Sequence, residues 1–309
     1  MQDEASDRKL MASVTVQVRD AEPFQQSVSL GPFDIGQGST EGMHDLGKFT
    51  HPPVGRCIYC SATDDLRREH IIPFGLCPYG PGNNAVLLKA TCGRCARVTG
   101  NLERQILRGP MHDVRVLRRL RSRSRHAGAR ATDRLTIVRN GVREDIELSL
   151  DEYPILLTFP TFAPPAFLSG GSCSGINLAG VTTISVGPRP DSVLRSLGGQ
   201  QIVLRTETQS PVAFARMLAK VGYAMAFAQA ALARLDGPCL VLPAILGHSD
   251  DIGQWVGTAT EPIRKYSSVL HRIALHEDRE KQLLLAQVQL FADSETPSYW
   301  VILGHLKSS

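Results

Sequence analysis

Residues 57–103 read CIYCSATDDLRREHIIPFGLCPYGPGNNAVLLKATCGRCARVTGNLE and hold two Cys-x-x-Cys pairs. Each pair presents two sulfurs from one tight turn. Two such pairs that meet across a short hairpin can close a tetrahedral zinc site. The sequence therefore predicts a small module stapled by structural Zn²⁺, and its expected ligands are Cys57, Cys60, Cys92 and Cys95.

A glutamate and a histidine lie between the two cysteine pairs. His70 can take a proton from water near neutral pH, and the carboxylate of Glu69 suits Mg²⁺ or Mn²⁺ better than Zn²⁺. A base beside a metal-binding carboxylate is typical of hydrolysis. Basic residues in the same stretch supply the charge expected around a phosphodiester: Lys89, Arg94 and Arg97.

The segment resembles an HNH endonuclease of the zinc-stapled, four-cysteine kind, which is a ββα-metal nuclease. The pattern of that family is a Cys pair, an acidic residue with His and an Ile-Pro continuation, an Asn that opens a second strand, and a second Cys pair that opens a helix. Beside the cysteines, the matching residues are Glu69-His70-Ile71-Ile72-Pro73 and Asn84. The match covers about fifty residues, and its features fall in the family's order.

The resemblance implies a metal-dependent endonuclease that hydrolyses DNA phosphodiester bonds. His70 would be the general base that activates water, and Glu69 would hold a catalytic Mg²⁺ or Mn²⁺. Asn84 would pin the loop that carries the base, with Asn83 as the adjacent candidate. Only the resemblance favours DNA over RNA as the partner.

The chain departs from the family at Ala96. Many members carry Asn or His directly after the last Cys as a second metal ligand, and Ala96 has no donor atom. Thr99 and Glu103 follow on roughly the same helical face, and either could replace that ligand; Glu103 is the better oxygen donor. The alternative hypothesis is a catalytically silent zinc module in a nucleic-acid-binding or regulatory protein.

The positive charge of the chain is concentrated in one stretch. The 309 residues carry a net charge of +4, whereas residues 104–134 alone hold ten arginines against two aspartates, a net charge of +8. Such a localised excess is typical of a surface that binds a polyanion. We expect it to contact nucleic-acid phosphates through Arg118, Arg119, Arg121, Arg123 and Arg125.

The chain as a whole is expected to have an α+β fold. It would combine the small zinc-stapled ββα-metal module with a C-terminal mixed α+β domain that has a largely antiparallel sheet. The expected organisation is an N-terminal segment, partly strand and partly linker (1–55), the nuclease module (56–110), an arginine-rich arm (111–134) and a C-terminal domain of unknown role (135–309).

Local signals predict individual elements of this organisation. The helix of the module should run from about Gly93 to Arg108, and Asn140-Gly141 should turn a two-residue hairpin. Ser210-Pro211 should open a helix that reaches about Leu235. Residues 239–245 read as a strand, and three β-like stretches in the tail predict an antiparallel meander.

Composition indicates where in the cell the protein is expected to work. No segment reaches the roughly 18 to 20 uninterrupted apolar residues of a membrane span, so we expect no membrane partner. The N-terminus MQDEASDRKL lacks a basic and then apolar signal, and we expect a cytoplasmic protein. Three of the seven cysteines remain after the zinc quartet, and this odd number favours reduced thiols over a disulfide framework.

Two stretches of the second half gather residues of other chemistries. Gly171–Gly175 places Cys173 between glycines like a hydrolase elbow, but the surrounding sequence predicts a loop instead of a strand and a helix. Gly247–Asp251 contains the residue types of a triad, although sequence neighbours rarely converge as one in space. A small-molecule sensor or hydrolase is a third hypothesis, which a deep polar pocket around Cys173 or His248 would favour.

Overall fold

The computed structural model describes residues 11–17, 50–78, 85–121, 132–207, 209–265 and 269–307. Its strands are β1 (Met11–Gln17), β2 (Thr50–His51), β3 (Leu66–His70), β4 (Val86–Cys92), β5 (Thr132–Arg139), β6 (Val142–Ser149), β7 (Ile155–Phe162), β8 (Leu178–Val186), β9 (Gln201–Glu207), β10 (Val256–Thr258), β11 (His271–Asp278), β12 (Leu283–Leu290) and β13 (Ser298–His305). Its helices are α1 (Gly93–Arg108), α2 (His112–Leu117), α3 (Pro190–Ser196), α4 (Pro211–Ala228), α5 (Leu242–Leu246) and α6 (Ile252–Trp255).

The predicted α+β class is confirmed. Apart from the short parallel pairing of β2 with β4, the strand pairs within these ranges are antiparallel. The strands order as β1-β9-β5-β6, β10-β13-β12-β11, β2-β4-β3 and β7-β8. The predicted meander in the tail is present as β11, β12 and β13. In the described ranges, no helix combines the length and the apolarity that a membrane crossing needs.

The cysteine-rich segment forms two antiparallel strands followed directly by a helix. His70 ends β3 opposite Val86 of β4, and β4 continues through Cys92 into α1. The helix has the bounds that the sequence predicts. Strand β3 ends at His70, and Pro73 then leads into a 3₁₀ turn at Phe74–Leu76.

The long helix α4 lies at the centre of the molecule. The Ser210 hydroxyl accepts the N–H of Ala213 at 3.4 Å, so the predicted cap is confirmed. On one side α4 contacts α1, and on the other it packs on β12 and β13. Gly222 permits that approach, since a Cβ there would lie 2.9 Å from the Ala286 Cβ.

Two predicted elements of the C-terminal half are wrong. Helix α4 ends at Ala228 and not near Leu235, because Ala230 takes a positive φ of 56° before a separate 3₁₀ turn. Residues 239–245 do not form a strand and instead lead into α5. Pro243 lies in the first turn of α5, where its missing N–H costs nothing, and left-handed Gly247 ends the helix.

The hairpin of β5 and β6 agrees with the sequence. Asn140 and Gly141 have φ values of 49° and 78°, which are the positive angles of a tight two-residue turn. Strand β5 also pairs with β9, and β9 with β1. Most of β6 is exposed, so this hairpin forms the outer edge of its sheet.

Most of the buried apolar side chains form a continuous cluster that runs from the cysteine-rich segment to the C-terminal sheet, and a small second cluster lies on β12 and β13. Its members include Ile58 beside the first cysteines, Ile106 of α1, Phe159 of β7, Phe214 of α4 and Val301 of β13. The cysteine-rich segment therefore shares its core with the C-terminal half. The predicted domain boundaries remain a prediction.

His271 links the C-terminal sheet to the loop that follows β3. Its Nε2–H donates to the Leu76 carbonyl oxygen at 2.9 Å, and its Nδ1 accepts the Phe291 N–H at 3.1 Å. Only a neutral imidazole with its proton on Nε2 makes both bonds. Burial lowers the pKa of His271 to about 4, although the Leu76 carbonyl and Asp293 act in the opposite direction.

We expect the free energy of unfolding to fall as the pH drops from about 6.5 to about 4. The unfolded chain protonates His271 near pH 6.5, whereas the folded chain resists protonation until about pH 4. The difference corresponds to a loss of about 3 kcal/mol. Urea unfolding at pH 7 and pH 4 should show this loss in the native chain and in His112→Gln, and a smaller one in His271→Gln. Equal losses in all three proteins would contradict it.

Candidate functional site

The four predicted zinc ligands lie together. Cys57 and Cys60 precede β3, Cys92 ends β4 and Cys95 lies in the first turn of α1. Their sulfur atoms are all within 4.8 Å of one another, and those of Cys60 and Cys92 are 3.6 Å apart. Sulfurs around a tetrahedral Zn²⁺ are about 3.8 Å apart. The cluster could therefore hold a metal ion such as zinc.

Backbone hydrogen bonds shape the first cysteine turn. The N–H of Cys57 donates to the Ala62 carbonyl at 2.7 Å, and the N–H of Ser61 donates to the Cys57 carbonyl at 2.9 Å. The Ala62 N–H lowers the pKa of Cys60 to about 7, with smaller contributions from the other cysteines. A thiolate near neutral pH is the form that binds a metal ion.

The carboxylates of Glu69 and Glu103 meet at the ammonium group of Lys220. The Lys220 Nζ lies 2.7 Å from Glu69 Oε1 and 2.9 Å from Glu103 Oε1, and it also donates to the His70 carbonyl oxygen. The side chain of Lys220 is only 1% exposed, and that of Glu69 only 6%. Three acceptors thus use the three hydrogens of the ammonium group.

Electrostatics keep Lys220 charged in this position. Burial alone would lower the pKa of Lys220, but the attraction of Glu103 and Glu69 outweighs it and raises that pKa above its ordinary value. Helix α4 makes a second polar contact one turn further on, where the Tyr223 hydroxyl donates to the Ile58 carbonyl oxygen. The Tyr223 ring also stacks on Tyr59, with 5.6 Å between the centroids. Helix α4 is therefore docked on the ββα unit through polar groups as well as apolar ones.

His70 lies next to this cluster, at the end of β3. It is 8% exposed, and the edge of its ring meets Phe74 with 5.3 Å between the centroids. The guanidinium of Arg121 lies over the same Phe74 ring at 5.6 Å. The candidate base is thus held between the buried charge cluster and the loop that follows β3.

The residues present do not fit a catalytic Mg²⁺ or Mn²⁺ while Lys220 is in this place. Such an ion takes about six oxygen ligands. Glu69 and Glu103 both already bind an ammonium ion. Ala96 offers no donor, and the buried Thr99 hydroxyl donates to the Cys95 carbonyl within α1. Residues 83 and 84, and with them the predicted Asn84, lie outside the described residues.

Similarity to known proteins offers no independent guide to this site. No family model matches the chain. No curated protein and no solved structure matches it either. The residues of the site and their geometry therefore carry the functional conclusion.

The predicted phosphate contacts fall into three groups. Two are used within the protein: Arg118 bonds to Asp293 and to the Ser294 hydroxyl, and Arg121 donates to the Pro78 carbonyl. Four are exposed and could reach a polyanion: Lys89, Arg94, Arg97 and Arg119. The remaining two, Arg123 and Arg125, lie outside the described residues.

The sequence did not reveal two residues that organise this site. Lys220 lies three and four positions from Met217 and Ala224 on the buried face of α4, and a lysine on an apolar face signals a carboxylate partner. Arg115 donates to the carbonyls of Gly75, Leu107 and Arg121, so it ties the loop after β3 to α1. No local pattern indicates that role, because its acceptors are backbone atoms.

The two rival stretches show weaker geometry. Cys173 lies in a loop between a 3₁₀ turn and β8, so it has neither the preceding strand nor the following helix of a hydrolase elbow. Its N–H donates to Gln254 Oε1 at 3.0 Å. His248, Asp250 and Arg216 line a surface cavity of about 270 Å³. Ser249 there bonds to Asp251 and not to His248.

The zinc content of the purified chain should depend on the four-cysteine cluster. The purified chain is expected to carry one zinc ion, and Cys92→Ser should lose most of it, because a thiolate is replaced by a poor zinc ligand. The variant should also melt at a lower temperature. Elemental analysis and thermal unfolding measure both effects, with Cys173→Ser as the matched control. A native chain that keeps its melting temperature after complete metal removal would contradict this expectation.

Proposed function

We propose that the chain is a nuclease that hydrolyses phosphodiester bonds in DNA, with His70 as its general base. The observation that carries the proposal is the position of His70: it ends β3 in a ββα unit whose strands and helix meet at the four-cysteine cluster. This order of elements supports the resemblance to HNH endonucleases. Zinc on the cysteines would be structural and would hold β4 and α1 to the first cysteine turn.

The chemistry assigned to His70 is proton abstraction from the attacking water. An imidazole accepts a proton near neutral pH, and a general base typically contributes a factor of about 10² to 10⁴ in rate. The predicted Mg²⁺ or Mn²⁺ on Glu69 and Glu103 is not part of this step, because Lys220 binds both carboxylates. Through Lys220, the two carboxylates instead hold the end of β3, and thereby His70, against α1 and α4.

The charge distribution supports a polyanionic substrate. Arg94 and Arg97 are exposed on the first turns of α1, and Lys89 is exposed on β4. The arginine-rich residues 104–134 follow in the sequence and carry a net charge of +8. Binding through such contacts should weaken steeply with salt and should depend little on base sequence.

A second candidate function is nucleic-acid binding or regulation without cleavage, with DNA or RNA as the partner. The burial of His70 and the occupation of both carboxylates by Lys220 favour it. A silent module would show the same salt-dependent binding. It would differ from the nuclease in leaving the phosphodiester bonds intact.

Nicking of supercoiled plasmid tests the proposal. The native chain should convert the supercoiled plasmid to its nicked form. His70→Ala should do so at a rate lower by about 100-fold or more, because the base is lost. His248→Ala is the matched control, since that histidine is exposed and lies in the loop after α5, outside the ββα unit. Gel-shift binding of the same DNA should be similar for all three proteins.

The outcomes separate the two functions. Cleavage that is unchanged in His70→Ala would refute the assignment of His70. Binding without cleavage by the native chain, whether or not Mg²⁺ is added, would favour the silent module. Absence of both DNA binding and DNA cleavage would refute the nuclease, and absence of RNA binding in the same gel-shift assay would refute the second candidate as well.

A further inference from the structure

We propose that Lys220 is the resident cation of the Glu69–Glu103 pair. It takes the position that the resemblance gives to a divalent metal ion, and it excludes Mg²⁺ and Mn²⁺ from that position. The role of this cation in catalysis, which is to position His70, rests on the proposed nuclease function. The proposal that this cation is a lysine and not a metal ion does not rest on that function.

The contacts of Lys220 leave no room for a metal ion. Its Nζ lies 2.7 Å from Glu69 Oε1 and 2.9 Å from Glu103 Oε1, which are ordinary lengths for a charged hydrogen bond. A Mg²⁺ ion would sit about 2.1 Å from the same oxygens. An ion bound to these two Oε1 atoms would take the place of the ammonium group, so only one of the two cations can lie between them.

The third contact connects the cation to the candidate base. The ammonium group donates to the carbonyl oxygen of His70, so the same cation binds the acidic side chain and the backbone of the next residue. A divalent ion held by Glu69 would not donate a hydrogen bond to that oxygen. Lys220 is thus a positioning residue for His70 and does not itself reach a substrate, because its hydrogens are all used.

The surroundings hold Lys220 in place. It lies in the middle of α4 among buried residues, including Met217 and Val221, and its side chain is 1% exposed. The Tyr223 hydroxyl fixes the next turn of the helix to the Ile58 carbonyl. Withdrawal of the ammonium group would leave the buried Glu69 carboxylate and the partly buried Glu103 carboxylate without a cation.

The sequence of α1 agrees with a site that does not use a metal ion. The family's second ligand position is Ala96, which has no donor atom. Thr99, the nearer candidate for its replacement, bonds within the helix. Glu103, the other candidate, contributes its oxygen to Lys220. Position 96 therefore supplies no ligand, and the remaining candidate is already bound to a lysine from α4.

Binding of Mn²⁺, followed by electron paramagnetic resonance, tests the proposal independently of any cleavage. The full chain is used with its zinc retained. Lys265→Met, which removes an exposed lysine, is the control variant. In the native protein and in this control, Glu69→Gln should not change the binding of Mn²⁺. Lys220→Met should gain one Mn²⁺ ion, and Lys220→Met combined with Glu69→Gln should lose it again.

The stability of the variants provides a second readout. Lys220→Met should melt at a lower temperature, because the buried Glu69 and the partly buried Glu103 lose their shared cation. Mn²⁺ should raise the melting temperature of Lys220→Met by several degrees and leave that of the native chain unchanged. The triple variant Lys220→Met, Glu69→Gln, Glu103→Gln removes all three charges and should show no response to Mn²⁺.

Two results would overturn the proposal. One is a native chain that binds Mn²⁺ with an affinity that Glu69→Gln lowers tenfold or more; this result decides the question even when Lys220→Met does not fold. The other is a folded Lys220→Met that binds no Mn²⁺. Neither result depends on whether the protein cleaves DNA, so the nuclease proposal stands or falls separately.

Discussion

The buried ammonium group of Lys220 is the interaction on which the arrangement of the site depends. It binds side chains or backbone at the end of β3 and in α1, and it belongs to α4. A buried ion pair contributes little net stability, because desolvation offsets most of the attraction, but removing one partner costs about 3–5 kcal/mol. The pair therefore specifies how these three elements dock more than it adds to the stability of the fold.

Two clamps act on the ββα unit from different ends. The cysteine cluster joins the turn before β3, the end of β4 and the start of α1. Lys220 joins the end of β3 to Glu103, which lies further along α1. Between these clamps, the position of His70 is set by its backbone contact with Lys220 and by the packing of its ring against Phe74.

The sequence revealed the elements whose signals are local. The cysteine pairs predicted the stapled unit and the start of α1 at Gly93, and Asn140-Gly141 predicted its hairpin because only certain residues accept positive φ. The end of α4 was missed, since the alanine-rich run contains no stop signal before Ala230. Residues 239–245 were assigned wrongly because a short apolar run fits a strand or a helix equally well.

The interactions of the site were less predictable than its members. Glu69 and His70 were candidates from their residue types, and Glu103 was a candidate because it follows Ala96, where the resemblance expects a ligand; the structure does bring the two carboxylates together. The partner that joins them, Lys220, is more than a hundred residues away in the chain. Its apolar helical context indicates burial but not which carboxylate it meets. Long-range pairing of this kind follows from how α4 packs, which no local pattern encodes.

A double-mutant cycle measures the coupling between Lys220 and Glu69. Free energies of unfolding in urea would be compared for the native chain, Lys220→Met, Glu69→Gln and the double variant. Lys220→Met is expected to cost about 3 kcal/mol or more, and the double variant should be more stable than the sum of the single effects predicts by at least about 1 kcal/mol. Effects that add to within about 0.5 kcal/mol would contradict this expectation, because the two residues would then not interact.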